Sequence, residues 1–533
     1  MQTKIIVTVI LILGFLLRVI NISNNPLSLY GDELTIVQDA YSLYKTGSDQ
    51  LGNRFPLTFQ MGAGRPAGYV YASIPFVAFF GPTALAVRML SILSGLGIIA
   101  LIYLLGKRLF SQKVGLCAAF IAAVSPWDIA LSRGGFEAHF ALFLVLLGTY
   151  FFIKAKENTL FYLISALSFG LTLHTYPTYK ISLVLFLPLL LWYQGGAGKK
   201  HFFAGMVVFF LLGILAFSQT FIGGSEVRFS AINVFSQEKL KEEILQKINF
   251  ERTISSLPAN LVPYFHNKPV EYAKVLIGNY LQNFSMDFLI LHGDRNPRHN
   301  MATMGEIYFV EIIFIFIGLL TLWQKNRKIF VFIVSWLVLA PIPTAIVDLP
   351  HALRSSFMLP PLVIISAIGL NFLINKKMQI ILAVLFFVFI IQFAFFIQKL
   401  YFLAPSEYSN FWSYSAKVAS GLAMQGQSKY KYIFLSDAID SIEFAYPVYS
   451  KVDPAQVILQ NKDNIKIGNY KFKKFDNVYI GHIPKGDINQ FVENLDGTVL
   501  FIGNPDLKDA IRNYETILDQ KGLSILAIKK VYK

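Results

Sequence analysis

Leu29-Tyr30-Gly31-Asp32-Glu33 sets two adjacent carboxylates a short way past the first apolar segment, Ile5 to Leu17. A bilayer crossing takes about 20 residues, and Lys4 and Arg18 flank this segment where long basic side chains can snorkel to the interface. The two acids therefore emerge just beyond a membrane surface. No small-residue cleavage pattern follows the apolar core, so the N-terminus reads as a retained first helix.

Composition agrees with a membrane setting. Of the 533 residues, 55% are hydrophobic and only 15% charged, against about 25% charged in soluble globular proteins. The net charge of +15 comes from clusters between apolar spans, a topological pattern that calls for no nucleic-acid partner. The one cysteine, Cys117, lies in an apolar span, which excludes disulfides and cysteine metal sites.

Further spans read at about 83–105, 114–130, 138–153, 159–174, 181–194, 202–222, 306–323, 329–347, 356–374 and 379–400, making about eleven with the first. The fold class is thus mainly α: a polytopic membrane protein of about eleven transmembrane helices over 1–400. Short basic loops (Lys107, Arg108, Lys113; Lys154, Lys156; Lys199, Lys200; Lys325, Arg327, Lys328; Lys376, Lys377) belong on the cytoplasmic side. That places 21–82, 131–137, 175–180, 223–305, 348–355 and everything from 401 outside.

Within the outer loops, Leu34, Val37, Ala40, Tyr41 and Tyr44 predict an amphipathic helix over 34–46, lying along the membrane surface. Tyr69–Phe80 is too short to span and should be interfacial or re-entrant. Leu240 to Ile248 and Tyr272 to Tyr280 mark two more helices. Beyond a linker, 401–430, the apolar runs shorten to strand length at 432–435, 478–480, 499–502 and 525–528, with helical patterns at 487–495 and 506–521. Residues 431–533 therefore form a small extracytoplasmic α/β domain with no legible function.

Cations on the outer face run against the positive-inside bias. They occur in Gly64-Arg65-Pro66, Ser132-Arg133 with Glu137 and His139, His174 to Lys180, Asp294-Arg295-Asn296-Pro297-Arg298-His299, and His351-Ala352-Leu353-Arg354. Arginine grips phosphate oxygens with a planar fork, and histidine and lysine add donors. Blander readings stand beside these. Asp32-Glu33 could cap the following helix, Glu137 could pair with Arg133, His174 could be a satisfied interface histidine, and a lone loop arginine usually meets a lipid headgroup. One acidic pair and five basic clusters mapping to a single side favour a site.

The ordered set of Arg18, Asp32-Glu33, Ala86-Val87-Arg88 and Ser132-Arg133 with Glu137 resembles the GT-C superfamily of integral-membrane glycosyltransferases. Its nearest likeness is the protein O-mannosyltransferase and aminoarabinose-transferase branch. The resemblance is good over 1–180, weaker to about 370 and absent from the tail. It implies a sugar donor carried on polyprenyl phosphate and an inverting transfer to a lipid, glycan or protein acceptor at the extracytoplasmic membrane face. A carboxylate there can deprotonate an acceptor hydroxyl or amine, and preorganised cations can hold the departing phosphate. Asp32 matches the family's first acid and is the expected general base, with Glu33 orienting the acceptor. Arg133, Arg354 and His351 are expected phosphate contacts, then Lys180, Arg298 and His299. Tyr30, Arg65, Glu137 and His174 are expected against acceptor or sugar. A divalent metal is left open, with Asp32, Glu33 and a histidine as its ligands. A flippase for lipid-linked sugars would instead need buried acids and inverted repeats. A non-enzymatic scaffold would leave Asp32-Glu33 as a cap.

Overall fold

A computed structural model describes residues 2–60, 64–195, 199–222 and 233–532. The chain opens with helices Gln2–Val19 (α1) and Gly31–Thr46 (α2), then two paired two-residue strands, Thr58–Phe59 (β1) and Arg65–Pro66 (β2). Helices Gly68–Phe80 (α3), Ala84–Leu109 (α4), Gln112–Val124 (α5), Pro126–Ser132 (α6), Glu137–Lys154 (α7), Phe161–Leu173 (α8), Pro177–Gln194 (α9) and Lys199–Ile222 (α10) follow. After these come Glu238–Ile254 (α11) and Lys268–Gln282 (α12). The second helical set is Phe309–Lys325 (α13), Arg327–Leu339 (α14), Ile342–Val347 (α15), Leu359–Asn375 (α16) and Gln379–Gln398 (α17).

All eleven expected spans contain helix, and among the described residues seven helical stretches are long and apolar enough to cross a membrane on their own. Polar side chains start several of them. Thr83, Ser111 and Asn326 accept hydrogen bonds from the first turns of α4, α5 and α14, supplying partners that the first-turn N–H groups lack. The expected span 114–130 is broken. Ser125-Pro126 ends α5, and α6 leaves at 56°, because a proline cannot continue the hydrogen-bond ladder of the helix before it. Within the second set, α13 and α16 pack closely where Gly318 and Gly369 each face the backbone of the other helix. A Cβ on either would collide with the opposing backbone.

Two expectations about the membrane boundary change. Arg18 does not snorkel. It is fully buried, its guanidinium bonded to Asp128, to Ser132 Oγ and to the carbonyls of Gly14, Ala122 and Ala123. Nor does α2 present an open polar face. Glu33 to Ala40 are buried without interruption, since the polar face of the helix is covered by the C-terminal domain.

That domain begins earlier than the strand pattern suggests, because 401–430 is not a linker. Tyr414–Gly426 (α18) is a helix packed on Ile442–Tyr449 (α19). The strands are Tyr432–Ser436 (β3), Ile465–Ile467 (β4), Tyr470–Phe475 (β5), Val478–Gly481 (β6), Val499–Gly503 (β7), Tyr514–Leu518 (β8) and Ser524–Val531 (β9). They form one sheet ordered β4-β5-β6-β3-β7-β9-β8, with β3 parallel to β6 and β7 and the outer pairs antiparallel. The expected helix over 506–521 is a 3-10 turn followed by β8. Its alternation serves an edge strand paired to β9.

The domain grips the first outer loop. Tyr449 OH bonds Ser28 Oγ and accepts from Leu29 N, Lys417 Nζ donates to Leu27 O, and Asn461 donates to Gln50 O. Leu34, Ile36 and Val37 of α2 share one apolar core with Ala416, Ala445 and Val448.

Candidate active site

Asp32 and Glu33 open α2 and point to different environments. The helix N-cap is Tyr30, whose side chain makes no capping bond, so neither acid is the cap. Glu33 is fully buried. Arg88 grips it through both oxygens at 2.8 and 2.9 Å, and Gly135 N donates to it at 2.8 Å. With both oxygens engaged it holds the 133–136 loop in place and has none to offer an acceptor or a metal. Asp32 is the open member. Its side chain is 41% exposed, and Oδ1 accepts from Arg65 Nη2 at 2.8 Å.

Arg65 is buried and also pairs with Glu137 Oε1 at 2.8 Å through Nε. Burial works against its charge, but Glu137 and then Asp32 outweigh that and raise its pKa above the ordinary value. Arg65 thus ties the start of α2 to the start of α7, and Glu137 pairs with it rather than with Arg133. About two turns beyond Asp32, buried Asp39 accepts from Gln50 N, yet burial pushes its carboxyl up to about 7.

Tyr30 is buried beside Phe136 and Trp412, with the Arg298 guanidinium 5.2 Å above its ring. Burial, followed by the charge of Asp32, holds its hydroxyl well above the usual range. Arg298 also donates to Phe411 O. His299 stands edge-on to Phe136 at 5.6 Å and against the His351 ring at 4.3 Å. Asp294 clasps the two loops together. Its Oδ2 accepts from Ala352 N at 2.7 Å and lies 3.1 Å from His299 Nδ1 and 3.6 Å from His351 Nδ1. Burial raises the Asp294 carboxyl, but the His299 hydrogen bond and the neighbouring imidazoles outweigh it and bring the pKa down to about 2. His351 is the neutral ring, held well below the usual histidine range by burial and then by His299. Arg354 and Arg295 border this cluster, and among the described residues neither has a hydrogen-bond or ion-pair partner.

Three of the expected residues serve other ends. Arg133 is fully buried and bonded to the carbonyls of Leu17, Arg18, Ile20 and Asn25. Its fork is spent on the end of α1 and is not open to a phosphate. His174 Nε2 bonds Leu212 O, and Lys180 Nζ donates to Ala216 O. Both fasten α10 to its neighbours.

The sequence reading places Asp294 and Arg295 within an outer-face cluster but gives them no role, and Trp412 carries no signal of a site. Asp294 was visible as an acid five residues before His299 in a stretch already rich in cations. Trp412 sat in a segment taken for a linker, although the aromatic pair Phe411-Trp412 argued against one. Asp294, His299 and His351 offer one carboxylate and two imidazole donors within 4.8 Å of one another, a set suited to a divalent transition metal. In the Asp32-Glu33 pair, Arg88 engages both Glu33 oxygens and Arg65 engages Asp32 Oδ1.

Apolar helices thus carry an acid-arginine-acid cluster, Asp32, Arg65 and Glu137, on the same protein as a cationic loop pair. Residues 65–218 match a family model described as dolichyl-phosphate-mannose-protein mannosyltransferase. The fold is similar to that of ArnT from Cupriavidus metallidurans in the apo state, with TM-score 0.55 and 13% identity over 99% of this chain and 97% of that one. It is also similar to the same protein bound to undecaprenyl phosphate, with TM-score 0.53 and 13% identity over 99% and 98%. No curated protein matches the sequence. The family model thus covers the segment from β2 to α10, while the likeness to ArnT is one of fold over the whole chain.

Proposed function

We propose that this chain transfers a sugar from a polyprenyl-phosphate donor to a hydroxyl or amine acceptor at the extracytoplasmic membrane face, with inversion at the anomeric carbon. The observation that carries this reading is the contrast within one dipeptide. Glu33 is sealed by Arg88, while Asp32 is fixed by a single arginine contact and open to solvent. A carboxylate held in place on one side and open on the other can accept a proton. Arg65 and Glu137 fix its orientation.

The donor phosphate fits the loops 294–299 and 351–354, where Arg354 and Arg295 offer guanidinium groups and Arg298 stacks over Tyr30, two residues from Asp32. Positive charge preorganised there would stabilise the phosphate as it leaves. If the reaction uses a divalent cation, Asp294, His299 and His351 are the residues to hold it, and it would supply further charge stabilisation to that phosphate. The family description and the relative carrying undecaprenyl phosphate support the donor class.

The test is Asp32→Asn, which keeps the shape and one hydrogen bond to Arg65 but not the basicity. Turnover with a polyprenyl-phosphate sugar should fall by about 10²–10⁴-fold while donor binding stays within a few-fold. Near-normal turnover would remove Asp32 as the base, and unchanged movement of lipid-linked sugar across vesicles carrying the variant would favour the flippase reading.

A further inference from the structure

The face opposite Asp32 carries a second polar site. Arg88, near the start of α4, contacts Glu33, whereas Lys107 and Arg108 end the same helix. Nineteen residues at 1.5 Å each put them about 28 Å away, roughly a hydrocarbon thickness. There α4, α7 and α9 end together around a cavity of about 470 Å³, into which Lys107, Arg108, Lys156, Tyr150, Tyr193 and Gln194 project.

Three cations line this space. Glu157, paired with Arg108 at 2.6 Å, is the one acid in ion-pair contact with them among the described residues. Lys107 and Lys156 have no ion-pair partner among the described residues. Lys154 lies over the Tyr150 ring at 5.7 Å and Lys328 over the Tyr193 ring at 5.6 Å, adding charge around the rim. Basic residues at a membrane edge need no ligand, being ordinary topological signals. The cavity and its floor need more. Gln194 is 2% exposed. Its Nε2 donates to Phe152 O at 3.2 Å, but its Oε1 has no partner among the described residues. Buried amide oxygens normally have a hydrogen-bond partner, and a hydroxyl donor reaching Gln194 from the cavity would supply one.

We infer that this cavity binds a phosphate ester bearing a hydroxyl, as in a glycerophospholipid headgroup of the leaflet opposite the candidate active site. The lysines and Arg108 would take the phosphate, and Gln194 Oε1 would accept from the glycerol hydroxyl. Tyr150 and Tyr193 stand at headgroup level, as aromatic residues do at membrane interfaces, and basic pockets between helix ends are known to hold anionic headgroups. This site is separate from the proposed catalytic one and does not depend on the reading of Asp32.

Native mass spectrometry of the purified full chain tests this. Phosphatidylglycerol, phosphatidylcholine and inorganic phosphate are titrated separately against the wild type and against Lys107→Gln/Lys156→Gln. Both lysines are exposed, so the double variant should keep its thermal stability. Retention of phosphatidylglycerol over phosphatidylcholine, weakened at least tenfold in the variant, supports a lipid source. Equal retention of inorganic phosphate with the same variant loss assigns the site to free phosphate instead. Should the variant fail to fold, the wild type alone decides: its melting temperature should rise with phosphatidylglycerol and not with phosphatidylcholine. No anion preference and no such rise would overturn the proposal.

Discussion

Arg65 reaches Asp32 across 33 residues of chain, 2.8 Å from Nη2 to Oδ1, and of the two only the carboxylate is open to solvent. The arginine is therefore a fixed, buried support and the acid its exposed cargo. Lysine at 65 would keep the charge but could not meet Asp32 and Glu137 with a planar fork. Arg65→Lys should lower turnover by at least tenfold while the protein still inserts, as measured by steady-state rates beside detergent-extracted yield.

Glu33 and Arg88 make a different kind of pair, dry on both sides. Removing one partner from a buried ion pair typically costs about 3–5 kcal/mol, because the other charge is left uncompensated. Glu33→Gln should therefore act on thermal stability, and Glu33→Gln/Arg88→Met should lose less than the sum of the two single changes. Additive losses would show that the pair is not coupled.

Donor affinity should separate the arginines. Arg354→Ala removes a guanidinium with no partner of its own. A charge-assisted hydrogen bond is worth about 1.5–3 kcal/mol, so binding of a polyprenyl phosphate should weaken about 10–100-fold with little change in melting temperature. Arg133→Ala should do the reverse, lowering stability through the loss of its bonds to the carbonyls of Arg18, Ile20 and Asn25, Leu17 O keeping Tyr401 OH. If Arg133→Ala weakens affinity without loss of stability, the assignment of its role is wrong.

Asp39 gives the outer domain a pH dependence. In the folded protein it keeps its proton up to about 7, and in the unfolded chain it releases it near 3.8. Between those values the folded state binds more protons, so this group's stabilisation is full below about 4, declines as pH rises and is gone above about 7. The whole change is on the order of 4 kcal/mol. Melting curves from pH 4 to 8 should show the decline, and Asp39→Asn should flatten it.

Chelation tests the three-donor set. If turnover falls on treatment with a chelator and returns with a divalent ion, His299→Ala and Asp294→Asn should abolish that rescue and Glu33→Gln should not. Loss of rescue confined to Asp32 variants would return the ion to the first outer loop.

The apolar periods were legible because a bilayer demands length and hydrophobicity, which composition displays directly. The strands at 432–436, 478–481 and 499–503 were legible because buried parallel strands are short continuous apolar runs. The fate of each charged residue was not. Arg133 and Arg354 look alike in sequence, since whether a guanidinium meets backbone carbonyls or open space depends on segments a hundred or more residues away. The burial of α2 was hidden for the same reason. Its Gln38, Asp39 and Ser42 read as a wet face until α19 and Pro454–Lys462 (α20) close over it.

That closure bears on how the protein is made. The helix carrying Asp32 lies among the first fifty residues, yet one of the surfaces that bury it belongs to residues 413–461. A chain cut before residue 413 would keep the contacts of α2 with α3 and α4 but would leave bare the side that α19 and α20 cover.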